Sequence, residues 1–433
     1  MMWALLESVL RAARRHGDAA EVYGEGAASL ALLAENGKRA RAEFSRAEGV
    51  ALRLRRRGRW GLAYLAGPPG PGDAESLAAR AAANARASPA PAAPLRLPGR
   101  RKFRPVPGTW DPRLARLDER DAHDALHALL GAAARVSKRV RLSEARVSLT
   151  ASRTFLANSL GLQVSDRGTY AAASATALAG DVSGDEYAMA RRARDIDWER
   201  VGRWAAEAAW ESRRPKPLEP GTYDLLLAPR ALVELVQYTT ATHFSGDSLL
   251  QGATPYRRGA RAMAPGFSLV DDGRLPAGWS SGAADGEGVP RRRNDLVRNG
   301  VVTGFLYDLA TAARARASST GNGNRSLRSA PGAGPTNLLL DGPRRKTSEM
   351  EAERALLVTD LIGAHTSRRA SGEFSVAVQR GFLRPAGTPV KGAMLAGSSV
   401  ELLRQVEALG DDVEARGLLV APTVRVAGWR VTG

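Results

Sequence analysis

The N-terminal half of the chain shows two kinds of hydrophobic spacing. Residues 3–16 place apolar side chains three or four positions apart, which predicts an amphipathic helix. Between residues 50 and 64, apolar and polar positions alternate on both sides of Gly58, a pattern typical of a β-hairpin with one buried face. The remaining predicted elements are helices at 73–87, 111–136 and 198–210 and strands at 140–155, 160–178 and around Tyr187.

Beyond residue 221 the pattern changes to short apolar runs separated by Gly-rich turns. The runs predict strands, and two stretches of helical spacing interrupt them. The predicted strands are 223–227, 297–306, 356–361, 374–383, 394–396 and 418–426, and the predicted helices are 229–242 and 400–409. We detect no short-period repeat. The chain is therefore predicted to be α+β, with an N-terminal α/β region of hairpins and helices and a C-terminal antiparallel, β-rich domain.

Proline-rich segments divide the chain. Residues 88–108 are rich in Pro and Ala and predict a long connection. Three prolines within residues 213–221 exclude both a helix and a central strand there, which predicts a domain boundary. The predicted regions are the N-terminal domain 1–215, its subregions 1–90 and 109–212, and the C-terminal domain 221–433.

Composition narrows the classes of function. The 433 residues include no Cys, which excludes disulfides, thiolate metal ligands and a cysteine nucleophile. No segment approaches the ~20 apolar residues of a membrane span, and the charged start of the chain is not typical of a signal peptide, so we expect a cytoplasmic protein without a membrane partner. The net charge is +18, but the Arg residues are scattered in small groups without an aromatic platform, which argues against nucleic acid as a partner.

Residue type and spacing alone offer two sites for chemistry. His123 and His127 lie on one face of a predicted helix and can share a metal, with Asp124 where a general base would stand. The competing interpretation is a surface His pair on a packing helix, because the same helix carries an apolar stripe. Residues 321–325 can form an anion-binding nest, although they match no phosphate-binding loop.

The Gly-punctuated strands of the C-terminal half allow a different function. An exposed sheet edge can bind an extended peptide through main-chain hydrogen bonds, whereas edges that pair internally would make only a β-rich domain. His243 and His365 lie in Gly-rich surroundings, but no G-x-S-x-G elbow accompanies them. Periodicity alone leaves these alternatives open.

Several motifs of the C-terminal half are specific in their combination, order and spacing. They are DGEGVP at 285–290, DLVRNGVVTGFLYD at 295–308, STGNGNR at 319–325, TNL at 336–338, SGEFS at 371–375 and GDD at 410–412. With these motifs the chain resembles the TldD/TldE (PmbA) metalloprotease family. Weaker similarity reaches back to Ala20 and to the hairpin at 49–66, so the resemblance covers nearly the whole chain.

The resemblance implies a cytoplasmic protease of two subunits, in which a TldD-like subunit binds zinc through an H-E-x-x-x-H helix and a late Cys. The positions that match these ligands and the Glu base hold Gln237, Tyr238, Thr242 and Ala421. Gln and Thr are poor zinc ligands, Tyr is not a carboxylate base and Ala has no donor atom. The chain is therefore expected to be the TldE/PmbA-like subunit, without metal or other cofactor and inactive alone, with zinc in its partner.

The resemblance also implies what the pair of subunits does. The expected substrates are unfolded or short peptides, such as the leader peptides of modified-peptide precursors. The candidate residues of the peptide groove in this chain are His243, Ser319, Thr320, Gly321, Asn322, Arg325, Asn337, Gly372, Glu373, Phe374 and Ser375. His243 directly follows the second ligand position, so a shifted helix register would bring an imidazole into the site.

The alternative function is a stand-alone, metal-free homodimer that binds peptides or regulates a partner without proteolysis. The family's older description as a modulator of DNA gyrase belongs with this alternative. In either case the basic surface would suit an acidic peptide or an acidic partner face.

Overall fold

A computed structural model describes residues 2–68, 70, 72–368 and 370–432. The helices of the N-terminal half are α1 (Met2–Ala13), α2 (Asp73–Ala87), α3 (Glu119–Val136) and α4 (Trp198–Glu211). Its strands are β1 (Ala19–Glu35), β2 (Lys38–Arg56), β3 (Arg59–Ala66), β4 (Arg141–Asn158), β5 (Gln163–Ala179) and β6 (Val182–Ala190). The six strands form one antiparallel sheet in the order β3-β2-β1-β4-β5-β6.

This N-terminal sheet is built from two units of the same element order, helix, three strands, helix. The units meet where β1 pairs with β4, from Glu21 opposite Asn158 to Glu35 opposite Glu144. Helices α1 and α2 pack on the first unit, and α3 and α4 on the second. The helices of the second unit approach closely because Gly202 has no side chain: a Cβ atom there would lie 2.0 Å from the main-chain oxygen of Leu129.

The sequence patterns miss part of this sheet. Strand β1 is not predicted at all, because its run of Ala and Gly has little β-propensity and does not alternate strictly. Strand β2 begins at Lys38, before the predicted alternation. Helix α3 begins at Glu119, not at residue 111: Leu117 has a left-handed conformation, and Asp118 caps the helix by accepting a hydrogen bond from the Arg120 N–H.

The long connection, residues 88–108, contains no helix or strand but is held against both halves of the chain. Leu95, Leu97 and Val106 are buried. Asn158 Nδ2 donates a hydrogen bond to the main-chain oxygen of Pro98 (2.7 Å), and the Ala277 N–H donates to that of Pro107 (2.8 Å). The Pro-rich composition here marks a segment that wraps over the surface between the two halves.

The C-terminal half contains five helices and sixteen strands within the described residues. The helices are α5 (Pro229–Thr239), α6 (Gly246–Leu250), α7 (Leu309–Arg314), α8 (Thr347–Glu351) and α9 (Ser399–Arg404). The first strands are β7 (Lys216–Pro217), β8 (Gly221–Leu227), β9 (Ser268–Asp272), β10 (Arg293–Arg298), β11 (Val301–Val302), β12 (Gly323–Asn324), β13 (Gly332–Ala333) and β14 (Leu338–Asp341). The others are β15 (Ala355–Ile362), β16 (Glu373–Arg384), β17 (Thr388–Lys391), β18 (Met394–Ser398), β19 (Val406–Leu409), β20 (Glu414–Arg416), β21 (Leu419–Ala421) and β22 (Val424–Thr432).

These strands form two larger sheets around one core. One sheet has the order β11-β10-β9-β14-β21-β20, and the other has the order β15-β8-β22-β18-β16-β17-β7. Because β15 also pairs with β16, the strands β15, β8, β22, β18 and β16 close into a small barrel. Most pairs are antiparallel, so the predicted α+β class with a β-rich C-terminal domain is confirmed.

Several predicted elements of this half have different ends. The predicted strand 297–306 is instead the hairpin β10–β11, because Asn299 and Gly300 take left-handed conformations and reverse the chain. The predicted helix 229–242 ends at Thr239, and 400–409 is helix only to Arg404 before it becomes strand β19. In the part of the chain described, no helix is both long and apolar enough to cross a bilayer.

The C-terminal half packs on the face of the N-terminal sheet opposite to its helices. Alternation along β1 explains this arrangement, because Val22 joins the helix-side core while the neighbouring Tyr23 points to the other side. There Tyr23 forms a buried cluster with Leu156, Leu162 and Val164, against which Ala284 and Leu327 pack. The two halves therefore share an interior.

Candidate functional site

Two of the positions predicted to match the family's zinc site lie at the end of α5. The helix begins with Pro229 in its first turn and buries Leu232, Leu235 and Val236. It ends at Thr239, and a 3-10 turn follows. Gln237, in the last turn of α5, is exposed, and Tyr238 is half-buried with its ring 6.4 Å from that of His365.

The other two matching positions are Thr242 and Ala421. Thr242 lies in the 3-10 turn Ala241–Phe244, and its buried Oγ1 has no hydrogen-bond partner within the described part of the chain. Ala421 is buried at the end of β21, against which α5 packs. The fold thus brings these segments together, but without the donor atoms of a zinc site.

The residues present do not fit zinc. Gln237 and Thr242 offer only neutral oxygen or amide groups, and Ala421 offers nothing. Across residues 2–68, 70, 72–368 and 370–432, no three His, Asp or Glu side chains form a group that could hold a metal ion. This result covers His123 and His127 as well: their rings lie on α3 with centroids 6.5 Å apart and find no third ligand there.

His243 points inward, as a shifted register would require, but it packs among uncharged groups. It is 1% exposed, and its ring centroid lies 5.8 Å from that of Tyr256. Gly372, at φ +73°, lies against it: a Cβ atom at Gly372 would be 3.0 Å from His243 Cε1 and 2.6 Å from Ser399 Oγ. The structure therefore brings together two predicted groove residues, His243 and Gly372, in a tightly packed contact.

The other predicted groove residues of this loop differ in exposure. Glu373 is exposed and pairs with Arg368 (3.3 Å), and Ser375 is also exposed, on β16. Phe374 is buried and stacks on Trp429, with ring centroids 6.0 Å apart. The exposed pair is available to a peptide, whereas Phe374 belongs to the core.

The predicted groove residues between 319 and 337 lie mostly inside the C-terminal half. Thr320 Oγ1 accepts a hydrogen bond from the Tyr307 N–H (2.7 Å). Asn322 is 1% exposed and donates to Asp271 Oδ2 (2.7 Å). The buried amide of Asn337 donates to two oxygen atoms of its own half (2.7 and 2.9 Å). Burial raises the pKa of Asp271, and the groups that donate to its carboxyl oppose the shift.

Ser319 and Gly321 hold the same loop in place. Ser319 Oγ donates a hydrogen bond to the main-chain oxygen of Tyr307 (3.2 Å). Gly321 has φ +78°, and a Cβ atom there would lie 2.4 Å from the main-chain oxygen of Pro290. The loop conformation therefore requires glycine at this position. The assignment of residues 319–325 to a peptide groove stays a prediction.

Arg325 belongs to a buried charge cluster that joins the two halves of the chain. Arg53 lies between two carboxylates, with its Nε 2.9 Å from Glu21 Oε1 and its Nη2 3.1 Å from Glu287 Oε1. Arg325 also pairs with Glu21. All four side chains are at most 6% exposed. Burial raises the pKa of Glu287 to about 8, although Arg53 pulls it down.

Sequence reasoning missed the N-terminal members of this charge cluster. Glu21 stands between Ala20 and Val22, and Arg53 stands between two Leu residues. A charged residue on an apolar strand is expected on an exposed face, so the sequence pattern predicts that Glu21 and Arg53 are exposed. The available signal was that Glu21 and Arg53 have opposite charge, and they lie opposite each other in β1 and β2.

A cavity of about 340 Å³ lies beside this charge cluster, between the N-terminal sheet and the C-terminal loops. Its walls include Tyr170 and Trp279, whose rings meet edge to face with centroids 4.9 Å apart. Arg191 crosses one wall and stacks on Tyr170, at 4.4 Å from the ring centroid. Burial lowers the pKa of Arg291, another wall residue, while nearby Asp residues oppose this shift.

Comparison with known proteins gives this architecture a class. Models of the PmbA/TldA metallopeptidase domain 1, central domain and C-terminal domain match residues 20–85, 112–213 and 220–433. These matches class the chain with the metallopeptidases by descent. The chain belongs to the PmbA/TldD metallopeptidase family.

Individual relatives agree with this class. The chain is 31% identical over 278 residues to an uncharacterized protein of Methanocaldococcus jannaschii, and the match spans 63% of this chain and 65% of that protein. Its fold is similar to TldE from Thermococcus kodakarensis, with a TM-score of 0.90, 24% identity and coverage of 99% and 100% of the two chains. A proposed modulator of a DNA gyrase from Thermotoga maritima has a TM-score of 0.89 at 24% identity, with 100% coverage of both chains. At these identities the two structures establish the fold alone.

Proposed function

We propose that this chain is the non-catalytic, TldE/PmbA-like subunit of a heterodimeric, cytoplasmic protease of the TldD/TldE type. The observation that carries this proposal is the replacement of both His ligands, the Glu base and the Cys ligand by Gln237, Thr242, Tyr238 and Ala421 within an otherwise complete family fold. A chain that keeps the architecture without the donors is suited to pairing and binding, and not to cleavage.

In this proposal a TldD-like partner supplies the zinc and the cleavage chemistry, and this chain binds no metal. The two chains together enclose an unfolded or short peptide, such as the leader of a modified-peptide precursor. The exposed side chains of Glu373 and Ser375 support a peptide path along β16, because both lie on one face of that strand. The net charge of +18 suits an acidic peptide or an acidic partner surface.

The test is to co-express this chain with a TldD-like chain that has the H-E-x-x-x-H motif and a late Cys. The complex and each chain alone are then compared by size-exclusion mass, zinc content and cleavage of an unstructured peptide. We expect a one-to-one complex with about one zinc ion, and cleavage only when both chains are present. The matched control replaces the motif's Glu in the partner by Gln, which should keep the complex and its zinc but abolish cleavage.

A metal-free homodimer that ignores the partner would contradict the proposal. It would favour the alternative function, a stand-alone peptide-binding or regulatory protein. The similarity to the Thermotoga protein described as a proposed gyrase modulator is the observation behind this alternative. The proposal would also be contradicted if the TldD-like partner cleaved the peptide equally well without this chain.

A further inference from the structure

Two arginines in the wall of the cavity between the two halves have buried donors without a hydrogen-bond partner among the described residues. Arg325 has a side chain 1% exposed; its Nη1 donates to Glu21 and to the main-chain oxygen of Gly286 (3.3 Å). Its Nε and Nη2 are buried and have no hydrogen-bond partner among the described residues. Arg291 donates through Nε to the main-chain oxygen of Ala284 (3.2 Å) and through Nη2 to Asn324 (3.3 Å). Its buried Nη1 likewise has no partner in the described part of the chain.

A third arginine in the same wall, Arg191, has hydrogen-bond acceptors for all three nitrogens of its guanidinium group. Arg191 donates through Nε to Thr169 (3.0 Å), through Nη2 to Thr109 (2.9 Å) and through Nη1 to Trp279 (3.0 Å), in each case to a main-chain oxygen. A buried donor without an acceptor is costly, because it has lost its hydrogen bonds to water. Arg191 therefore serves the fold, whereas one donor of Arg291 and two donors of Arg325 have no acceptor among the described residues.

The aspartates of the cavity do not satisfy these donors. Asp285 accepts hydrogen bonds from three main-chain N–H groups, those of Glu287, Val289 and Gly323 (2.9 Å each). Asp166 accepts from two more, those of Arg167 and Ala283 (2.9 Å each). Both carboxylates thus point at the backbone of the surrounding loops. The cavity wall has four arginines and two aspartates, Arg167, Arg191, Arg291, Arg325, Asp166 and Asp285, so its net charge is positive.

We propose that this cavity binds a carboxylate of a peptide, with Arg291 and Arg325 as its donors. A guanidinium group presents two parallel N–H donors in a plane, which match the two oxygens of a carboxylate. A volume of about 340 Å³ is small for a ligand pocket and suits the end or one side chain of a peptide. The rings of Tyr170 and Trp279 provide an apolar wall for the adjoining part of that peptide.

The inference deepens the proposed function, on which it rests for the choice of a peptide as ligand. It assigns to this chain a contact with the peptide that is separate from the partner's zinc. The carboxylate can be the C-terminus of the peptide or the side chain of Asp or Glu, and the two sources share the same chemistry.

The test uses the full chain alone and three N-acetylated pentapeptides in titration calorimetry. The first has a free C-terminus and no acidic side chain, the second has an amidated C-terminus and one Glu, and the third is amidated without Glu. We expect the first or the second to bind at least about 10-fold more tightly than the third, and the tighter of the two identifies the source.

Substitution then locates the binding. Arg291→Gln should weaken binding of the tighter peptide by about 10-fold, because it removes the positive charge and the unpartnered Nη1 donor. Arg292→Gln is the matched control: it removes the same charge from the next residue, which is exposed and donates to Asn294 (3.1 Å) outside the cavity. Arg292→Gln should bind the peptide like the unchanged chain.

Equal affinity for the three peptides, or no binding of any, would overturn the inference, even if Arg291→Gln did not fold. Equal weakening by Arg291→Gln and Arg292→Gln would do so too, because it would show a general charge effect. Displacement of the peptide by an equal concentration of inorganic phosphate would show a site for any oxyanion and would also overturn it. This assay does not contain the partner. A chain that forms no heterodimer is therefore detected in the co-expression experiment and not here.

Discussion

Removal of Arg53 should reveal how strongly the buried charge cluster holds the two halves together. Arg53 lies on β2 between Glu21 of the N-terminal sheet and Glu287 of the C-terminal half. Both carboxylates are 0% exposed, so water cannot replace the guanidinium. The substitution Arg53→Met keeps most of the length of the side chain and removes its charge.

The expected loss follows from what stays behind. Glu21 keeps an ion pair with Arg325, but Glu287 loses its contact with Arg53 and keeps the hydrogen bond from the Leu309 N–H (2.7 Å). Because burial raises the pKa of Glu287 to about 8, this carboxyl is mostly protonated at pH 7, so Arg53→Met removes contacts and does not leave a full charge unpaired there. A buried hydrogen bond to a charged group contributes about 1.5–3 kcal/mol, and Arg53 contacts both Glu21 and Glu287, so we expect the free energy of unfolding to fall by about 3–5 kcal/mol.

Arg55→Met is the matched control on the same strand. Arg55 pairs with Asp18 at 2.8 Å, but the two side chains are 33% and 54% exposed, so the expected loss is about 0–1 kcal/mol. Both guanidinium groups lie over Trp60, at 5.1 and 6.0 Å from the ring centroid, so the loss of that contact is common to both variants.

Urea unfolding at pH 7 measures the difference between the two variants. Tryptophan fluorescence and far-UV circular dichroism should be followed together, because a two-state free energy requires coincident transitions. Losses that agree within about 1 kcal/mol for Arg53→Met and Arg55→Met would refute the reasoning, because burial would then add nothing to the ion pair.

Three further predictions concern single residues. Burial raises the pKa of Glu287 from 4.5 to about 8, so the folded chain holds a proton that the unfolded chain has released; stability should fall as the pH rises through this interval, and urea unfolding of Glu287→Gln at several pH values should show a flatter profile. Gly202→Ala should cost about 1–3 kcal/mol in urea unfolding, because its Cβ would lie 2.0 Å from an oxygen of α3, whereas Gly131→Ala, whose Cβ would meet only a side-chain atom at 3.6 Å, should gain about 0.5–1 kcal/mol. Gly372→Ala should lower the melting temperature, because the residue has φ +73° and its Cβ would lie 2.6 Å from Ser399 Oγ; an unchanged melting temperature would show that the loop yields freely.

Local sequence patterns predicted best those elements whose structure depends on their own composition. Helix α2 has the predicted bounds, because an Ala-rich segment favours a helix wherever it is placed. Strand β1 was missed because its fit depends on two partners, β2 and β4, that lie far away in the sequence. The pairing of β1 with β4, which joins the two units of the N-terminal sheet, could not be predicted for the same reason. A register between distant strands leaves no periodic pattern in the local sequence.

For the candidate site, too, some features could be predicted from the sequence and others could not. The family resemblance matched Gln237, Thr242 and Ala421 to zinc ligands, and their lack of suitable donors could then be argued from residue type alone. Whether the groove residues are exposed could not, and Asn322 and Phe374 are buried where the motif suggested contact with a peptide. Arg53 and Glu21 could not be linked to Glu287, because nothing local relates strands of one half to a loop of the other.

Two of the motifs that carry the family resemblance lie where the two halves of the chain meet. Glu287 of the first motif and Arg325 of the third form ion pairs with Arg53 and Glu21 that join the two halves, and Asp285 holds the two motifs together by accepting a hydrogen bond from the Gly323 N–H. None of these contacts involves Gln237 or the other positions predicted to match the family's zinc site. These two motifs are therefore constrained by burial and by docking of the halves, which the fold requires whether or not a metal is bound. Substitutions at Gln237 and the other predicted positions leave these docking contacts unchanged, because no side chain of the charge cluster comes from those positions.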